Sequence, residues 1–145
     1  MLLAEDNDDE VFLIKRSLNK SGVLMNMQVV HNGEETLAYL RAEGKYADRG
    51  QFPFPNFLLL DISMPRMNGL EVLEAIRNDP ALTRLTVVFF TCSEHEDDIL
   101  RASDLHANSY LLKPADLTNL DELLHLLQEY WICRNRRGPC SVECG

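Results

Sequence analysis

Positive charge is scarce in this chain: 14 lysines and arginines stand against 23 aspartates and glutamates, a formal net charge of −9 over 145 residues. A chain so biased repels nucleic acid and anionic membrane surfaces. Arg134, Arg136 and Arg137 therefore read as a solvated tail and not as a nucleic-acid site. Long apolar runs are missing too. None approaches the roughly 20 residues that cross a bilayer, and no basic segment followed by an apolar one opens the chain, so the expected location is cytoplasmic. Cysteine is sparse, with Cys92 at an apolar strand end and Cys133, Cys140 and Cys144 at or beyond the last helix. The Cys140–Cys144 spacing is not the two-residue spacing of a zinc or redox pair, so these read as unpaired reduced thiols. His31, His95, His106 and His125 show no ligand-like spacing.

What is present is one domain's worth of ordinary globular composition, 46% hydrophobic and 26% charged. Strand and helix patterns alternate from end to end. Leu2-Leu3-Ala4 is a first apolar run, and Asn7 or Asp8 can cap a helix through Val11, Ile14 and Leu18 that ends near Gly22. Residues 25–31 read as a second strand, followed by a short helix through Thr36, Leu37, Leu40 and Arg41. Residues 42–55, with Gly44, Gly50, Pro53 and Pro55, form a loop by composition. Phe57 to Leu60 is a third strand, and Leu70, Leu73 and Ile76 mark a helix that stops before Asn78-Asp79-Pro80. Leu85 to Phe90 is apolar enough for a strand covered on both faces. A helix from Glu94 to about Leu105 and a strand from Ser109 to Leu112 follow. Leu120, Leu123, Leu124, Leu127 and Trp131 then lie at helical spacing. Five strands interleaved with five helices predict a three-layer α/β sandwich with a parallel sheet. Only four residues precede Glu5, against a mean strand of about 5–6, so either the first strand is short or the start of the chain is trimmed.

The chemistry gathers where these runs stop. Glu5 and Asp6 close the first, Asp61 the third, Thr91 the fourth, and Lys113 the fifth, with Pro114 directly after. In an open parallel sheet the ligand site lies outside the carboxyl ends of the strands, where these groups meet. Two unit charges about 4 Å apart at an effective dielectric near 20 interact by roughly 4 kcal/mol. Three clustered carboxylates therefore repel unless a cation joins them, and Lys113 alone leaves the cluster negative. A hard, oxygen-preferring ion meets that need, and Mg²⁺ takes one or two carboxylates, several waters and phosphate oxygens.

At this point the residues resemble a known family. Leu3-Ala4-Glu5-Asp6-Asn7, Leu59 to Pro65 with Asn68-Gly69, Thr91-Cys92-Ser93 and Tyr110 to Pro114 together resemble the receiver domain of two-component response regulators, from about Leu2 to Trp131. Tyr39-Leu40-Arg41, Gly44-Lys45-Tyr46, Asp97 to Arg101, Leu105-His106 and Tyr130-Trp131 resemble the stand-alone regulators paired with phytochrome kinases. The resemblance implies a flavodoxin-like (βα)5 sandwich, strand order 2-1-3-4-5, with residues 1–133 as the receiver and 134–145 as a flexible tail.

It also implies roles. Asp61 is the phosphoacceptor, supplied by a sensor histidine kinase or phosphotransfer protein. Asp6, Asp61 and the Ser63 backbone carbonyl hold Mg²⁺, with Glu5 acting through bound water. Lys113 and Thr91 contact the phosphoryl oxygens, a cis bond at Pro114 aims Lys113 into the site, and Thr91 and Tyr110 form the switch. Cys92 stands where the family commonly has alanine, which narrows access, while Ser63 and Ser93 occupy positions that tune hydrolysis. Output then comes through partner binding, or through homodimerisation by the last strand and its flanking helices. Two competing readings remain: an Mg²⁺-dependent phosphohydrolase, which usually has a second Asp where Ser63 stands, and a degenerate receiver serving as a scaffold.

Overall fold

Side chains alternate across a strand, and in this chain both faces of that alternation are apolar, so the sheet must be covered on both sides. In the computed structural model, which describes residues 1–21, 27–114, 120 and 125, this is what forms. The elements are β1 (Leu2–Ala4), α1 (Asp8–Ser21), β2 (Gln28–Val30), α2 (Gly33–Leu40), a 3₁₀ turn (Gly44–Tyr46), β3 (Phe57–Leu60), α3 (Gly69–Asn78), β4 (Thr86–Thr91), α4 (Glu96–Asp104) and β5 (Ser109–Leu112). The five strands are parallel in the order β2-β1-β3-β4-β5. The expected sheet is present. The fifth helix and the tail fall on residues outside those described, apart from Leu120 and His125.

The two faces sort cleanly. Leu2, Ala4, Leu58, Leu60, Val87 and Phe89 pack under α2, α3 and α4 with Leu37, Leu73 and Ile76. Leu3, Phe57, Leu59, Val88 and Phe90 pack under α1 with Val11, Ile14 and Leu18, and Leu120 joins this side. The short first strand suffices because it is central: Leu2, Leu3 and Ala4 pair with β2 on one side and β3 on the other, and all three are buried.

Residues 42–55 are more than a loop. Tyr39, Tyr46 and Phe52 form an aromatic knot with ring centroids 5.1 to 5.9 Å apart. The Arg49 guanidinium donates to the carbonyls of Tyr39, Phe52 and Leu40. The Tyr46 hydroxyl donates to Glu35 Oε1 at 3.0 Å. Burial first, then that neighbouring carboxylate, push the Tyr46 phenol from 10 up to about 12. A raised pKa means that the folded state holds the proton more tightly. The contribution is therefore complete below pH 10 and lost as pH rises through about 12, on the order of 2 kcal/mol. In an ultraviolet phenolate titration, burial holds Tyr39, Tyr46 and Tyr110 above the ordinary phenol range, and Tyr46→Phe removes the component near 12. Ionisation of every tyrosine near 10 in the folded chain would contradict this packing.

Arg77, at the end of α3, ties α4 in place. It donates to the carbonyls of Thr83 and Leu85 before β4, and to those of Leu105 and His106 after α4. Among the described residues, no helix is long and apolar enough to cross a membrane.

Candidate functional site

The sheet's hydrogen bonds run past the ends of its strands and deliver the polar residues side by side. Glu5 N–H donates to the Val30 carbonyl, Asp61 N–H to that of Ala4, and Lys113 N–H to that of Thr91, at 2.8 to 3.1 Å. Glu5, Asp61 and Thr91 are all buried, while Asp6 is exposed. One carboxylate oxygen from each of Glu5, Asp6 and Asp61 lies within 4.8 Å of the others. The Lys113 ammonium reaches into this group, donating to Glu5 Oε1, to Asp61 Oδ2 at 2.9 Å and to Glu10 Oε2 at 2.8 Å.

Charge balance dominates the site. Burial first, then Glu10 and Asp61 beside it, push the Glu5 carboxyl up to about 10 against the opposing pull of Lys113. Burial also opposes the charge on Lys113, but Glu10, Glu5 and Asp61 outweigh it and hold the ammonium above the ordinary lysine range. For Glu10, burial pulls upward, and the bonds with Glu5 and Lys113 overcome it, so its carboxyl sits below its ordinary value. Even with Glu5 holding its proton at neutral pH, one lysine among Asp6, Glu10 and Asp61 leaves the pocket short of positive charge. An all-oxygen donor set with one solvent-facing carboxylate fits a hard divalent cation that keeps part of its water.

The remaining expected residues divide. Ser63 sits two residues past Asp61 and its N–H donates to Asp61 Oδ1 at 3.3 Å. The Thr91 hydroxyl accepts from Ser93 N–H at 3.2 Å. Tyr110 is directed at the same loop, its hydroxyl donating to the Ser93 carbonyl at 2.9 Å and its ring tilted against Phe89. Ser93 Oγ in turn donates to Asp98 in the first turn of α4.

Two expectations are corrected. Cys92 lies one residue beyond β4, where the chain bends, and is exposed instead of lining a strand end. The Lys113–Pro114 bond is not cis, since the described residues contain no cis peptide. The cheaper trans bond suffices because the β4 ladder and three carboxylates already hold Lys113 in the site.

Glu10 closes no strand, so the pattern of strand ends does not single it out. Its signal is helical: it stands in the first turn of α1, four residues after Asp6, and Asn7 Oδ1 caps that turn by accepting from Asp9 and Glu10 N–H.

Gly69 is required by the approach of α3 to the site. A Cβ there would lie 2.3 Å from the Asp61 carbonyl oxygen and 2.9 Å from Ile62 Cα, both backbone. Gly69→Ala is expected to cost about 1–3 kcal/mol and to move Asp61. Thermal unfolding reports it, and a variant that melts with wild type would contradict the contact.

The chain is 33% identical over 132 residues to response regulator Rcp1 of Synechocystis, covering 91% of this chain and 88% of Rcp1. It is 35% identical over 140 residues to the probable methanogenesis regulatory protein FilR2 of Methanothrix harundinacea, covering 96% of this chain and 88% of FilR2. Among solved structures, the phosphorylated cyanobacterial phytochrome response regulator RcpA matches with a TM-score of 0.81 at 40% identity, covering 90% of this chain and 91% of that one. A Mn²⁺-bound form of Rcp1 matches with a TM-score of 0.78 at 33% identity, covering 90% of this chain and 91% of that one. The response regulator receiver domain model matches residues 1–125, and with the acidic pocket, the opposed lysine and the 2-1-3-4-5 sheet the chain belongs to that family.

Proposed function

We propose that this receiver is a phosphorylation switch in which Asp61 accepts a phosphoryl group from a phosphohistidine on a sensor histidine kinase or phosphotransfer protein. The observation that carries this reading is the Lys113 ammonium 2.9 Å from Asp61 Oδ2 within a buried acidic pocket. The Asp61 carboxylate oxygen attacks phosphorus, the phosphorus–nitrogen bond breaks, and its electron pair stays on the imidazole. Asp6, Asp61 and the Ser63 carbonyl, with Glu5 through water, would hold Mg²⁺, and the ion would supply positive charge to the phosphoryl oxygens. Lys113 supplies the second positive charge and Thr91 a hydroxyl donor.

The output follows from bonds on the β4–α4 loop. Thr91 now accepts from Ser93 N–H, and Tyr110 holds the Ser93 carbonyl. A Thr91 hydroxyl recruited to the phosphoryl group changes the loop that both residues and Asp98 share. Ile99, Leu100 and Leu112 are exposed on α4 and β5, which supports readout by a partner or a second copy on that face. We place the protein in the cytoplasm, acting as a switch and not as a turnover enzyme. Kinship with RcpA favours a phytochrome kinase as its source of phosphoryl groups.

The test is intact mass after incubation with acetyl phosphate. With Mg²⁺ the chain gains one phosphoryl group and stops; with chelator it gains none. A hydrolase would instead turn over many equivalents of a phosphomonoester, and such enzymes usually carry an acid where Ser63 stands.

A further inference from the structure

A lysine ammonium has three hydrogens to donate, and in this site all three are engaged: by Glu5, Glu10 and Asp61. These partners are not equivalent. Glu5 and Asp61 belong to the close carboxylate group that fits a cation, and in the phosphoryl-transfer reading Asp61 is also the nucleophile that accepts the phosphoryl group. Glu10 lies outside that group. It comes from α1, whose first turn is fixed by the Asn7 cap, and its side chain is 19% exposed at the rim of the pocket. Lys113 arrives from the far end of the chain, 103 residues later.

Resting on the phosphoryl-transfer reading, we propose that Glu10 is a positioning residue that anchors the Lys113 ammonium over Asp61. Lysine is a point charge on a flexible four-carbon stem. When Glu5 and Asp61 turn their oxygens to other bonds, Glu10 is the carboxylate that remains on the ammonium and keeps it within reach of arriving phosphoryl oxygens. Glu10 touches no reacting atom. Its effect passes through Lys113.

The opposite role is also chemically coherent: a carboxylate on Lys113 could compete with the phosphoryl group for the same hydrogens. The two roles differ in sign. Under anchoring, Glu10→Ala slows phosphoryl uptake, and misplacing a charged group by about 1 Å costs roughly 10- to 100-fold. Under competition, the same variant takes up phosphoryl groups faster.

The experiment uses the full chain with acetyl phosphate at saturating Mg²⁺, comparing wild type, Glu10→Gln and Glu10→Ala. Anchoring predicts a lower maximal rate with an unchanged half-saturating donor concentration, and Glu10→Gln in between because it keeps an acceptor oxygen but no charge. A second readout is independent of activity. The Lys113 ammonium, buried and fully bonded, gives a slowly exchanging ¹⁵N NMR signal, assigned by its absence in Lys113→Arg. That signal broadens or vanishes in Glu10→Ala with Mg²⁺ present, while thermal unfolding shows the chain still folded. Uptake that is unchanged or faster in Glu10→Ala overturns the proposal, as does an unaltered ammonium signal. If wild type itself gains no phosphoryl group, the parent reading fails and this one falls with it.

Discussion

Asp61→Asn is expected to abolish phosphoryl uptake while leaving the chain folded. The amide is nearly isosteric with the carboxylate, and its Oδ1 can still accept from Ser63 N–H. It has lost the nucleophilic oxygen, however, and its amide group meets the Lys113 ammonium donor to donor. Wild type beside it gains one phosphoryl group per chain in the same incubation. Removing the Asp61 charge also relieves its repulsion on Glu10, and Lys113 keeps two of its three partners, Glu5 and Glu10. Metal-free thermal stability is therefore expected to equal or exceed that of wild type. Intact mass and a thermal melt check both halves. Phosphoryl gain by Asp61→Asn would locate the acceptor elsewhere.

The second large effect comes from the other side of the same contact. Lys113→Met fills much of the same space but leaves Glu5, Glu10 and Asp61 without the cation they share. Removing one partner from a buried ionic group costs about 3–5 kcal/mol, because the Lys113 side chain is 4% exposed and its partners 2% to 19%. For a domain of this size that corresponds to a melting temperature lower by roughly 6–20 °C. Mg²⁺ restores part of the loss, so the variant gains more stability from the metal than wild type does. Thermal unfolding with and without Mg²⁺ measures it. A variant that melts with wild type in the presence of chelator would mean that Lys113 does not hold the cluster together.

Much of the site was legible in the sequence because of where polarity interrupts the apolar runs. Glu5, Asp61, Thr91 and Lys113 each stand at the end of a strand, and a parallel sheet places all such ends on one edge. That inference needs topology but no detailed packing. Glu10 escaped it because helix residues reach a site by direction, not by position at a strand end. Its direction is set by the Asn7 cap and by a lysine distant in the chain. Cys92 was misplaced for a related reason: an apolar run does not show the residue at which the chain bends out of the sheet.

The nearly unbroken apolar run from Leu85 to Phe90 was enough, by itself, to determine a sheet buried on both faces. The polar residues closing its strands determined an acidic edge that calls for a cation. Both are local patterns, written in neighbouring residues. The tertiary structure alone decided how the charges pair: one ammonium shared by Glu5, Glu10 and Asp61, and the loop of residues 42–55 held by Arg49 on three carbonyls. Hydrogen bonds between groups far apart in the chain depend on distances and angles that only the packed elements create, so a pattern of residue types does not contain them.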